Sequence, residues 1–217
     1  MEPATHNEAQ ITYWNEQGGP RWVELQDALD RQLRPLGDAV LAAAGLAPRG
    51  RVLDVGCGCG DSSLSALGRV QPGGKVTGVD VSRPMLARAR ERARRAGAEG
   101  IELLEADAQR HAFPEGGFDA VISRFGVMFF EAPEAAFANL RRAMAPEASL
   151  AFVCWQAAER NAWVTAPPSA VARPVALPAP PEPGAPGPFA FADPDRVRRI
   201  LTAAELASVD VAPLEGD

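Results

Sequence analysis

The segment Val52-Leu-Asp-Val-Gly-Cys-Gly-Cys-Gly60 constrains this chain more than any other, because few folds run an apolar strand into three spaced glycines and then a helix. Glycines at 56, 58 and 60 let the backbone turn tightly and let a ligand lie against the main chain. The pattern then repeats. Short apolar runs at 51–55, 75–79, 101–105, 118–123 and 149–155 alternate with helical stretches at 61–70, 82–96 and 133–144. Ser82 is placed as an N-cap, Pro84 fits the first turn, and Gly97 stops that helix. Strands alternating with helices imply right-handed crossovers and a mainly parallel, doubly wound α/β sheet covered on both faces.

Two flanking regions differ. Residues 20–44 read as helix, with Trp22, Leu25, Leu29, Leu33, Val40 and Leu41 at helical spacing and Pro35 interrupting them. Residues 167–194 hold ten prolines in twenty-eight positions, which predicts an extended linker or a loop over the surface. A helix over 193–204, opened by Asp193 and Pro194, and a short strand over 208–212 follow.

Composition removes several classes. At 217 residues, 47% hydrophobic and 23% charged, the chain has the make-up of one globular domain with an appendage, not of a disordered or fibrous protein. Three cysteines make no disulfide framework, and a net charge of −6 argues against a protein built to grip a phosphate backbone. The arginines crowding 83–95 surround most of one helix without interleaved aromatics, as on a solvated face. No run of about 18 uncharged apolar residues occurs, so no membrane span is expected and a cytoplasmic location is.

The glycine loop does not fit a dinucleotide. That fingerprint requires G-x-G-x-x-G, whereas Asp61 stands three positions after Gly58. Asp54, two residues before the first glycine, suits a cationic ligand better than a pyrophosphate. Asp80 closes the second strand, where a carboxylate can accept both hydroxyls of a ribose. Glu105-Ala-Asp-Ala108 closes the third, where an acid can accept a bond from an adenine amine. Three strand tips thus converge on one nucleoside.

Together these motifs resemble the class I S-adenosylmethionine-dependent methyltransferases, in the small-molecule branch that includes the ubiquinone- and menaquinone-biosynthesis enzymes. The resemblance is carried by Asp54 to Gly60, by Asp80, by Asp107 with Ala108, and by Phe118-Asp-Ala-Val-Ile-Ser123. It implies a Rossmann-like fold and methyl transfer from S-adenosylmethionine, releasing S-adenosylhomocysteine, to a small apolar or aromatic molecule. It implies that the cofactor is held by Asp54, Gly56, Cys57, Gly58, Gly60, Asp80, Val81, Met85, Asp107, Ala108 and Ser123, with Tyr13 folding over it. Residues 1–50 are then a helical preface or lid, 51–156 the cofactor-binding core, 157–192 a proline-rich loop or cap, and 193–217 the end of the same domain. The family's last antiparallel strand is expected to be missing, which leaves a truncated, inactive cofactor-binding protein as one alternative and a nicotinamide oxidoreductase as another.

Several residues carry two readings. His111 is either a general base or a surface loop residue, and no other catalytic group is assigned. Phe125, Met128 and Phe129 form either a substrate wall or ordinary core. Tyr13 and Trp14, ahead of the first helix, either face the sulfonium or staple the helix. Cys57 and Cys59 are loop fillers or, with Cys154, a soft-metal set; the thiols two residues apart point away from each other and no metal site is expected.

Overall fold

The computed structural model describes residues 7–161 and 184–215. Five strands, β1 (Arg51–Val55), β2 (Lys75–Asp80), β3 (Ile101–Glu105), β4 (Phe118–Arg124) and β5 (Met144–Val153), form one sheet in the order β3-β2-β1-β4-β5. All four pairings are parallel. Helices α3 (Asp61–Val70), α4 (Arg83–Arg95) and α5 (Pro133–Ala143) make the crossovers after β1, β2 and β4. The strand order reverses between β1 and β4, and the loops leaving those two strands open a crevice at the carboxyl edge.

Side-chain alternation along the strands divides the core. Leu53, Val55, Val79 and Val121 face α5 and the last helix, α6 (Pro194–Ala203), through Phe137, Leu140, Val197 and Ile200. Val52, Val76, Ala120 and Ile122 face α3 and α2 (Gly18–Ala43) through Ala66, Val70, Val40 and Leu41. Asp193 caps α6 as expected, accepting from the Asp195 N–H at 2.9 Å.

Four local expectations are corrected. Pro35 does not interrupt α2, because it lies on the exposed face where the carbonyl it leaves unpaired meets water. Tyr13 and Trp14 belong to a helix of their own, α1 (Glu8–Glu16). β5 begins at Met144, not 149, because the register with β4 shifts between Phe118 and Ala120 and the intervening residues bulge out. Residues 208–212 form no strand; Val209 and Val211 pack against the core without a ladder partner. No antiparallel strand occurs among the described residues. Most of the proline-rich segment, 162–183, lies outside them.

Candidate active site

β1 ends in the glycine loop because three residues there take left-handed backbone: φ is 69° at Gly56, 53° at Gly58 and 82° at Gly60. A Cβ on Gly56 would lie 2.6 Å from Gly126 Cα, so the loops after β1 and β4 touch only because both are bare. A Cβ on Gly58 would fill the space before the Met85 methyl, at 2.8 Å. Asp54 anchors the loop from beneath: its Oδ2 accepts from Ser62 Oγ at 2.7 Å and Ser63 Oγ at 2.6 Å. Burial raises its pKa, against the lowering effect of those hydroxyls, and its Oδ1 has no partner.

Asp80 stands at the tip of β2. Its carboxylate accepts from the N–H groups of Gly58 and Ser82, each at 2.8 Å, and so ties the loop to the start of α4. Burial pushes its pKa up to about 6, against the downward pull of those backbone bonds. Each carboxylate oxygen keeps a second lone pair for a ligand hydroxyl. Cys57 and Cys59 are buried beside it and stay as thiols, Cys59 being pushed up to about 12 by burial.

A cavity of about 920 Å³ runs over these tips. Gly56, Cys57, Gly58, Asp80, Val81, Met85, Asp107 and Ala108 line it, as do Tyr13, Phe125, Met128 and Phe129. Asp54, Gly60, Ser123 and His111 do not. Gly60 packs on Ala89. Ser123 is fully buried, donates to the Val55 carbonyl at 2.8 Å and accepts from the Gly126 and Val127 N–H groups, so it fastens β4 to β1. The His111 ring packs edge-on to Phe113, 4.7 Å away.

The opposite wall comes from the helical preface, in which no single residue was marked for it. Trp22, Leu25, Leu29 and Leu33, read only as one face of a helix, look into the cavity from α2. Trp14 meets Phe129 edge-on at 5.0 Å and Trp22 at 6.2 Å. Phe125 takes φ 66°, a strained position for a bulky residue, and lies flat on Trp155 at 4.3 Å. Of the run after β4, Val127 is fully buried in the core whereas Phe125, Met128, Phe129 and Phe130 reach the cavity. Helical periodicity revealed the α2 face, but no local signal tells a cavity face from a core face.

Charge closes the floor. Arg124 reaches Asp61 at 3.0 Å and Asp30 of α2 at 3.4 Å, while Arg92 of α4 reaches Asp30 at 3.0 Å and Asp61 at 3.3 Å. This alternating quartet holds α2 over the glycine loop. Asn15 does the same for α1: its Nδ2 donates to the Val81 carbonyl at 2.9 Å, and its Oδ1 accepts from the Arg83 N–H at 3.0 Å. Ser82, the expected cap of α4, gives its hydroxyl to the Trp14 carbonyl instead, and Asn15 caps that helix from outside.

Residues 52–147 match the methyltransferase domain family. Over 108 residues, half of this chain and 48% of that protein, the chain is 44% identical to a demethylmenaquinone methyltransferase of Thermus thermophilus. It is 32% identical over 114 residues, 52% of this chain, to 41% of a nocamycin O-methyltransferase of Saccharothrix syringae. The chain covers less than half the length of these relatives. A crystal structure of a SAM-dependent methyltransferase from Aquifex aeolicus superposes with a TM-score of 0.60 at 25% identity, over 77% of this chain and 78% of that one. Residues 52–147 thus match a methyltransferase domain, and the chain's resemblance to the class I S-adenosylmethionine-dependent methyltransferases is borne out.

Proposed function

We propose that this chain binds S-adenosylmethionine across the carboxyl edge of its sheet and directs the methyl group to a small aromatic or apolar acceptor. The observation that carries this is the cavity itself, which joins nucleoside-binding chemistry to an aromatic wall in one space. Its volume of about 920 Å³ lies near the top of the roughly 300–1,000 Å³ range of small-molecule sites. The residues fit the cofactor: Gly56 lets the loops after β1 and β4 close together beneath it, Gly58 leaves open the space before Met85, Asp80 keeps lone pairs for ribose hydroxyls, and Asp107 stands at the nucleobase end. When bound, S-adenosylmethionine supplies an electrophilic methyl group on a sulfonium.

What the protein adds is alignment. Well-oriented intramolecular reactions reach effective molarities on the order of 10⁵–10⁸ M, so a rigid wall beside the donor is itself catalytic. Phe125 stacked on Trp155 and Trp14 edged by Phe129 give flat faces for a ring to rest on. The Thermus and Saccharothrix relatives, named for methylation of demethylmenaquinone and nocamycin, support a small-molecule acceptor.

The test is a thermal melt with and without S-adenosylhomocysteine, followed by turnover with a panel of phenols and hydroquinones. At about 100 times the dissociation constant the ligand adds roughly 2.7 kcal/mol, at about 2–4 °C per kcal/mol for a domain of this size. A melt that moves with reduced nicotinamide cofactor and not with S-adenosylhomocysteine overturns the proposal. A melt that moves with S-adenosylhomocysteine while no acceptor is methylated overturns its catalytic half.

A further inference from the structure

One end of the cavity is closed by α1 with two amides whose oxygens have no partner. Asn7 Oδ1 and Gln10 Oε1 are buried and accept no hydrogen bond. Both side chains line the cavity, and Asn7 is only 6% exposed. A buried carbonyl oxygen without a donor is costly, so two at one end of one cavity mark a place where a ligand brings N–H or O–H groups.

A run of hydrogen bonds fixes which end this is. The Asn7 N–H donates to the Glu131 carboxylate. The next N–H, that of Ala132, donates to Gln109 Oε1 at 2.9 Å. Gln109 in turn gives its backbone N–H to Asp107 at 3.0 Å and its Nε2 at 3.2 Å. Asn7 is thereby tied, through two side chains, to the carboxylate at the tip of β3. Its left-handed backbone, φ 85°, is one that asparagine tolerates better than most side chains do.

Building on the cofactor proposed above, we propose that Asn7 and Gln10 are nucleobase-binding residues that share with Asp107 the two hydrogens of the adenine exocyclic amine, one of them bifurcated between two acceptors. The three acceptors come from two elements, so the base is recognised only when α1 is docked. A 6-oxo base offers no donor there and sets its own oxygen against theirs. Recognition of the base and closure of α1 are one event.

Calorimetric binding of S-adenosylhomocysteine and of S-inosylhomocysteine to the full chain tests this. Asn7→Gly removes the amide while suiting the left-handed backbone, and Gln10→Met keeps the length of the side chain. The wild type is expected to prefer the adenine ligand by about 100-fold or more. Each substitution weakens that ligand roughly 5–10-fold and leaves the inosine ligand level or tighter, since one opposed oxygen is gone, so the preference narrows. Amide exchange supplies the second readout: α1 gains protection with S-adenosylhomocysteine and not with its inosine analogue. Variants that bind S-adenosylhomocysteine as the wild type does, or lose both ligands equally, overturn the assignment. A wild type that binds neither ligand overturns the cofactor reading beneath it instead.

Discussion

Asp80 and Gly56 show how single residues set the terms of the site. Burial holds the Asp80 carboxyl at about 6, above the roughly 3.9 of an unfolded aspartate. Its protonated form therefore favours the folded chain, a contribution that is full below the unfolded value and lost as pH rises through 6. Ligand hydroxyls donate to the ionised form, so binding has the opposite sign. Affinity for S-adenosylhomocysteine is expected to fall as pH drops through 6, approaching about tenfold per unit, in calorimetric titrations from pH 8 to 5. Asp80→Asn flattens that profile and weakens binding at pH 8 about 10–100-fold, since an amide can accept from only one of the Gly58 and Ser82 N–H groups with its single oxygen. A variant that keeps the pH step places the titrating group elsewhere. Gly56→Ala meets a different obstacle, a Cβ 2.6 Å from Gly126 Cα on backbone at φ 69°. A loss of at least about 1–3 kcal/mol in urea unfolding is expected, and an unchanged midpoint shows that the two loops can part freely.

At the scale of elements, α1 is held by what it does for α4. Asn15 caps α4 through the Arg83 N–H and anchors on the Val81 carbonyl, and Ser82 is free to bind Trp14 because it is relieved of capping. Asn15→Ala therefore uncaps one helix and undocks another, at about 1–2 kcal/mol. Hydrogen exchange should rise in α1 and in the first turn of α4 together; a rise in α1 alone leaves the capping role without support. This coupling also marks where sequence reading stops. The glycine loop, Asp80 and the strand–helix alternation were legible because each is a local pattern: left-handed turns need glycine, and buried parallel strands need apolar runs. Asn15 gave no such signal, since the partners that make it a cap and an anchor lie 66 to 68 positions away. The start of β5 is not legible locally because a bulge against β4 decides it, and 208–212 alternates like a strand but lacks the neighbour that would make it one. His111 illustrates the converse, a residue of suggestive chemistry whose ring turns to Phe113.

For the molecule as a whole, the cavity lies between a domain with a shared pattern and two helices outside it. The methyltransferase match begins at residue 52, whereas α1 and α2 supply Tyr13, Trp14, Trp22, Leu25 and Leu29 to the walls. The end proposed for the nucleoside thus draws on strand tips joined by the start of α1, and the aromatic wall largely on α1 and α2, which is why motifs named the strand tips and not the helices. What joins them is the quartet of Asp30, Asp61, Arg92 and Arg124, all at least four-fifths buried in their side chains. Asp30 is the one member that α2 contributes, and it faces both arginines. Asp30→Ala leaves Arg92 and Arg124 sharing Asp61 alone, and breaking a buried ion network by one partner costs about 3–5 kcal/mol. If the quartet is what seats α2, that loss falls on the preface first: Trp14 and Trp22 become solvent-exposed and their fluorescence shifts to the red below the main melting transition. If S-adenosylhomocysteine is held from both sides as proposed, it should raise the lower transition more than the upper. A single cooperative transition in Asp30→Ala, lowered but undivided, would instead mean that apolar contacts such as those of Val40 and Leu41 seat α2 and that the quartet only tunes Arg124 in the cavity floor.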